Sequence, residues 1–226
     1  MYFTLILLVY FELGDSAGGN LVAAVTQKLK QRSPSIKTQV LIYPALQALD
    51  FRSPSYQQES DFVLNKEMMV KYWLYYAQGH VKNTDYLMQN RHVPPEVLQQ
   101  FSSSALNHSV LPKEFFPNNY RKYNHKEDNH YNPNVWNAIK GVLLNPDFAP
   151  LVASDFRGLP KTFVFTGFFD VLRDDGAWYA EALIKAHINV THLHARAAYH
   201  GMFFRHNIKE FRQIYEKVVN YIQENL

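Results

Sequence analysis

Three side chains of the kinds that cooperate in acyl-bond cleavage stand at telling places along the chain. Ser16 lies in Gly14-Asp15-Ser16-Ala17-Gly18, a G-x-S-x-G string, while Asp170 lies in GFFDVLRDDG and His200 in AAYHGMFF. A serine hydroxyl at its ordinary pKa is a poor nucleophile, so this chemistry needs a base to take its proton and an acid to orient the base. The chain order Ser, Asp, His is one of the known orders of such a set. The glycines of the string have a mechanical purpose, because a strand reversing at once into a helix brings flanking side chains into collision. The turn lifts the hydroxyl above a sheet. The N–H of Ala17, at the helix start without an intrahelical acceptor, then faces any negative charge developing on an acyl oxygen.

Each residue also has a plainer reading. Ser16 suits a helix N-cap, although Asp15 beside it offers the same service. Asp170 suits a turn, with Asp174 or Asp175 capping the next helix and Asp174 the better placed of the two. His200 is one of ten histidines, set apart by its place after a strand, by the glycine that follows it and by the amphipathic helix beyond.

The elements that must hold these residues are legible as a pattern. Met1 to Phe11 (MYFTLILLVYF) reads as a buried strand, and Leu21, Val22, Val25 and Leu29 then recur at helical spacing. Ser33, Pro34 and Ser35 stop that helix, and Thr38 to Tyr43 (TQVLIY), halted by Pro44, reads as a second strand. This is a β-α-β unit and therefore a parallel pair. From about residue 47 to 145 the pattern changes to helical stretches around Lys66 to Tyr76 and Glu96 to Phe101, with a Pro, Asn, His and Tyr rich segment from Phe116 to Asn134. We read this region as an inserted cap, and the run Asn118 to Asn134 as an exposed connection within it. Alternation resumes with the strand Thr162 to Thr166, a helix from about Asp175 to Ala186, the strand Val190 to His194 and a helix from Ile208 to Leu226. The last carries Ile208, Phe211, Tyr215, Val218 and Ile222 on one stripe. Asp170 and His200 thus both follow strands, at the end of a doubly wound sheet where functional loops gather. No internal repeat is present.

Composition narrows the function classes. The 226 residues are 47% hydrophobic, 15% aromatic and 19% charged, which excludes collagen, coiled-coil and low-complexity chains. A formal net charge of +3 is too slight for a nucleic-acid footprint or a polybasic membrane patch. The absence of cysteine removes disulfide frameworks, thiol catalysis and Cys-ligated metal centres together. No stretch reaches the ~18 apolar residues of a membrane span. His192 and His194 alternate along a strand as a possible metal pair, and His206 follows His200 by six residues, but no carboxylate is spaced as a third ligand, so no metal site is expected.

The strings GDSAGGN, DVLRDDG and YHG, with LIYPALQALDFRSPSYQQ, RHVPPEVL and the ending NYIQENL, make the chain similar to the arylacetamide deacetylase-like serine hydrolases of the hormone-sensitive-lipase group within the α/β-hydrolases. The likeness runs from Gly14 to Leu226. It implies one partial α/β-hydrolase domain over residues 1–226, a mostly parallel sheet flanked by helices, with the cap at about 47–145. It also implies a serine carboxylesterase or amidase acting on small acyl esters, acyl amides or glyceride lipids. Ser16, Asp170 and His200 would be its catalytic triad and Ala17 an oxyanion donor, with no metal or organic cofactor and no nucleic-acid partner. Cap aromatics such as Phe62, Tyr72, Trp73, Tyr75 and Tyr76 would line the acyl and alcohol pockets or pack between helices. Endoplasmic-reticulum localisation on the luminal side, with membrane association, goes with the family. The sequons at Asn107 and Asn189 lean the same way, Asn189 being the less accessible because a strand follows it.

The chain also departs from that group. The HGGG-type string whose backbone N–H groups complete the oxyanion hole does not occur, nor do the early strands or an anchor helix, so the chain is expected to be an N-terminally truncated form. A first strand lacking one neighbour is expected to cost stability, to aggregate or to dimerise edge to edge. Ala195, Arg196, Ala197 and Ala198 replace the usual acidic and glycine residues of the approach loop before His200. The competing reading is a catalytically silent relative that keeps the cap and pocket as a ligand-binding or interaction module.

Overall fold

The computed structural model describes residues 10–31, 36–58, 63–79, 81–122, 131–205 and 207–225. Its centre is a sheet of four strands in the order β1 (Tyr10–Asp15), β2 (Ile36–Ile42), β3 (Lys161–Phe169) and β4 (Val190–Tyr199), every adjacent pair parallel. Parallel neighbours need crossovers. Helix α1 (Ala17–Leu29) supplies the first and α7 (Arg173–Lys185) the last, while α8 (Lys209–Asn225) follows β4. The long connection from β2 to β3 carries α2 (Pro54–Gln57), α3 (Lys66–Tyr76), α4 (Thr84–Met88), α5 (Pro95–Ser102) and α6 (Pro133–Leu143).

The middle strands β2 and β3 are buried along most of their length because both of their faces are covered. Leu41 and Val164 point into one core with Val22 and Ala23 of α1 and Ala177, Ala180 and Leu183 of α7. Val40, Ile42, Phe163 and Phe165 point into another, closed by Phe211 and Val218 of α8. The helices of the long connection add their own side chains to the first core, including Trp73, Leu98 and Ile139.

Several boundaries and faces differ from the sequence reading. The first strand continues to Asp15, so it runs straight into the serine turn; residues 1–9 of the anticipated strand lie outside the described residues. Helix α1 does not bury the Leu21, Val22, Val25, Leu29 stripe. Leu21 is 55% and Val25 40% exposed, and the buried side is built from Gly19, Asn20, Val22, Ala23, Ala24 and Thr26. Small residues let this helix lie close on β1 and β2, which apolar periodicity does not report. On α8, Phe211 and Val218 are buried, whereas Tyr215 is 40% exposed and Ile208, 36% exposed, precedes the helix. Ala195 to Ala198 form no approach loop. They belong to β4, which extends to Tyr199, and Ala198 is buried in the second core.

Candidate active site

Register explains how two of the three residues meet. A bulge between Gly167 and Phe169 shifts the β3–β4 pairing so that Phe169 comes opposite Tyr199. The next residues on the two strands are Asp170 and His200, and His200 Nδ1 lies 2.9 Å from Asp170 Oδ2. Asp170 is buried, and its Oδ1 accepts a 2.9 Å bond from the N–H of Leu172. Asp170 thus uses one oxygen within its own turn and the other against His200.

Ser16 arrives from β1 across the sheet. Its backbone has φ 54 and ψ −119, a region costing a non-glycine residue ~1–3 kcal/mol. The strain is held by three backbone bonds: Ser16 N–H donates to Ile42 O at 2.9 Å, and Ser16 O accepts from Asn20 N–H at 3.2 Å and Ala45 N–H at 3.3 Å. The turn is tight enough that a Cβ at Gly14 would stand 2.3 Å from the carbonyl of Gly18, and one at Gly19 would stand 2.8 Å from Pro44 Cβ. A Cβ at Gly18 would meet nothing within 4 Å. The crowding assigned to the second glycine of the string thus falls one residue later, on Gly19, where α1 passes the loop after β2.

Ser16 sits at the N-cap position of α1, yet its side chain makes no capping bond. Its Oγ lies 2.9 Å from His200 Nε2. Asp15 does not take over the cap, since it is the last residue of β1. Serine, histidine and aspartate thus form one continuous hydrogen-bond chain spanning 184 positions between Ser16 and His200. Ala17 is the first residue of α1, so its N–H has no acceptor within the helix.

The surroundings of this chain involve residues not anticipated. The Tyr43 ring packs on the His200 imidazole at a centroid distance of 4.6 Å, and Tyr43 holds φ 36 where β2 ends. Burial, and then the charges of Asp15 and Asp170, push its phenol far above the usual tyrosine range. Asp174 does not cap α7; the helix begins at Arg173, and Asp174 is fully buried within it. Its Oδ2 accepts from Ser55 N–H at 2.6 Å and its Oδ1 from Arg173 Nε at 2.9 Å. The fully buried Arg173 also donates to Phe115 O at 2.8 Å and lies 4.3 Å over the Phe115 ring. Asp175 accepts from the N–H groups of Leu46 and Gln47 and from Gln47 Nε2. This buried cluster ties the loop after β2 and the 113–116 turn to the start of α7, immediately after Asp170.

A 220 Å³ cavity with mainly apolar walls opens beside the turn, lined by Ala17 and Leu21 of α1 and Met69, Tyr72, Trp73 and Tyr76 of α3 among others. Of the aromatics singled out from sequence, Trp73 is buried, Tyr72 and Tyr76 are exposed on its rim, and Tyr75 is exposed elsewhere. Phe62 lies outside the described residues. His192 Nε2 and His194 Nδ1 do face the same way, and both meet Thr166 Oγ1, at 2.9 and 3.0 Å. Among the described residues no group of three or more His, Cys, Asp or Glu side chains is placed to hold a metal, and His206 lies outside them. Asn189 is exposed, contrary to the reading that the following strand would hide it, whereas Asn107 is half-buried with its Oδ1 accepting from Ser109. No helix among the described residues is long and apolar enough to cross a membrane.

Comparison with known proteins agrees with the architecture. A family model described as alpha/beta hydrolase fold matches residues 10–105 and 118–204. Arylacetamide deacetylase of Oryctolagus cuniculus is 36% identical over 94% of this chain and 54% of its own length. Neutral cholesterol ester hydrolase 1 of Bos taurus is 39% identical over 83% of this chain and 47% of its own. One of the fungal esterases of Rhizomucor miehei superposes with a TM-score of 0.58 at 28% identity, covering 94% of this chain and 49% of that one. The chain spans about half the length of the curated relatives it matches.

Proposed function

Because the chain belongs to the α/β-hydrolase fold family, we propose that it carries the nucleophile, base and acid of a serine carboxylesterase or amidase, with Ser16, His200 and Asp170 in those roles. The observation that carries this reading is the unbroken hydrogen-bond chain from Asp170 through His200 to Ser16. With His200 Nδ1–H donating to Asp170, Nε2 is left as the acceptor for the Ser16 hydroxyl proton. Attack by Ser16 Oγ on an acyl carbonyl moves that proton to Nε2, and the alcohol or amine leaves with it. Water, deprotonated by the same nitrogen, then releases the acyl group from the serine ester. Asp170 holds the tautomer and favours the imidazolium that forms. The Ala17 N–H and the positive end of α1 face the developing oxyanion; a single such donor is worth about 10²- to 10³-fold in rate.

The substrates are small acyl esters, acyl amides or glyceride lipids. Support comes from the apolar cavity beside the serine turn, with Tyr72 and Tyr76 at its rim, and from the names of the relatives, a deacetylase and a cholesterol ester hydrolase. In this reading residues 47–145 act as a cap over the site. A luminal endoplasmic-reticulum placement with membrane association, and glycosylation at the exposed Asn189, belong to the same proposal.

A fluorophosphonate probe tests it. Labelling of wild-type protein that disappears in Ser16→Ala is the expected result. Well-folded wild-type protein that takes no label would overturn the enzymatic reading and favour a silent binding module.

A further inference from the structure

A second cavity of 390 Å³ lies among the loop after β2, helix α5 and the 106–122 segment, and it shares no lining residue with the cavity beside Ser16. Leu98, Leu106 and Phe116 give it apolar walls. On its polar side runs another hydrogen-bond chain that the proposed acyl chemistry does not use. His108 Nε2 lies 2.7 Å from Asp50 Oδ2, and His108 Nδ1 lies 2.6 Å from Tyr120 Oη. Tyr120, within the run read from sequence as an exposed connection, is instead turned inward and packs edge-on against Phe116.

The protonation state decides what this chain offers a ligand. Burial pushes the His108 imidazole down, but its hydrogen bond to Asp50 and that carboxylate's charge reverse this and hold it above the usual histidine value. An imidazolium donates from both nitrogens. With both nitrogens protonated, one N–H goes to Asp50 and the other to the Tyr120 oxygen. The phenol, held up to about 12 chiefly by burial, keeps its own proton and has it left to donate into the cavity. Asp50 also lines the space, but both of its oxygens are engaged, Oδ1 by Arg52 N–H and Asn90 Nδ2, each at 2.7 Å, and Oδ2 by His108. Lys122 stands exposed at the same cavity and makes no ion pair among the described residues. Among the described residues that line the cavity, Asp50 and protonated His108 cancel, leaving the lysine charge in excess, an unused O–H donor and no unengaged carboxylate oxygen.

We infer that this cavity binds a monocarboxylate with an apolar body, its head accepting from the Tyr120 hydroxyl and facing Lys122, its hydrocarbon against Leu98, Leu106 and Phe116. Volume agrees, since small-molecule sites of about 300–1,000 Å³ are usual. A cationic ligand would meet Lys122 and find both Asp50 oxygens already engaged.

Isothermal titration of the full chain with sodium hexanoate tests the inference, with hexylammonium chloride as the charge-reversed probe. Saturable hexanoate binding is expected, with no binding of hexylammonium. Tyr120→Phe should weaken hexanoate about tenfold, the loss of one hydrogen bond to a charged group. Lys122→Ala, at an exposed position that leaves the fold intact, should weaken it about threefold. Tyr72→Ala, at the other cavity, should leave the affinity unchanged. Absent saturable binding, equal binding of hexylammonium, unchanged affinity in folded Lys122→Ala and Tyr120→Phe proteins, or loss of affinity in Tyr72→Ala would each overturn it. The last of these would place the carboxylate beside Ser16.

Discussion

At the serine turn the proposed chemistry rests on single atoms. Asp170→Asn replaces the oxygen that accepts from His200 Nδ1 with an amide able to donate, which favours the wrong imidazole tautomer. Hydrolysis of p-nitrophenyl acetate by this variant should fall by about 10⁴-fold in kcat while its melting temperature moves little. The two glycines after Ser16 make a sharper contrast. Gly19→Ala drives a methyl to 2.8 Å from Pro44 Cβ and should destabilise by about 1–3 kcal/mol. Gly18→Ala places its methyl in open space within a helix and should be neutral or stabilising by up to ~1 kcal/mol. Thermal melts of the two single variants check the opposite signs.

Connecting elements are held by buried charge, and one pair gives stability a pH signature. The Asp50 carboxyl is pushed up by burial but drawn below its usual 3.8 by His108 and the Arg52 and Asn90 donors, and His108 sits above 6.5. The His108 contribution is fully present below 6.5 and is lost as pH rises through its raised folded value. The Asp50 contribution is present above 3.8 and is lost as pH falls through its lowered one. Comparing wild type with His108→Gln by urea unfolding, the stability difference should be about 2 kcal/mol near about pH 5.5 and should shrink toward about pH 9. Equal differences at both pH values would contradict the pairing. At this scale the sequence was partly legible. The span Lys66–Tyr76 is a helix as its pattern indicates, and the β-α-β opening is present. The network of Arg173, Asp174 and Asp175 was not, because its partners Ser55, Phe115, Leu46 and Gln47 lie 58 to 129 positions away. Local spacing made Asp174 look like a cap. Nothing local says that a charged run will be buried, although three charged residues between apolar neighbours after a strand are the signal available.

At the scale of the whole molecule, the middle strands β2 and β3 are covered on both faces, while among the described residues β1 lies at the edge of the sheet. β1 pairs only with β2 among the described residues, and Phe11 and Leu13 are 40% and 44% exposed. The exposed Leu21 and Val25 of α1 add apolar surface. Exposed, apolar edge strands template association. Sedimentation velocity should therefore show concentration-dependent association that Leu13→Lys suppresses; a monodisperse wild-type monomer across the concentration series would contradict this. The same sheet explains why the placement of Ser16, Asp170 and His200 could be reasoned from sequence while their contact could not. Each follows a strand, which is visible locally, but the bulge that aligns Phe169 with Tyr199 is set by pairing between strands.

Since all the strands point the same way, Ser16 follows the leaving end of β1 while Asn189 precedes the entering end of β4. Ten residues of β4 put about 30 Å between those two margins. A bulky sugar, a fluorophore or a surface tether attached through Asn189 would hang from the far side of the protein. The proposed acyl entrance beside Ser16 would stay unobstructed, which makes position 189 a natural handle for immobilising the protein.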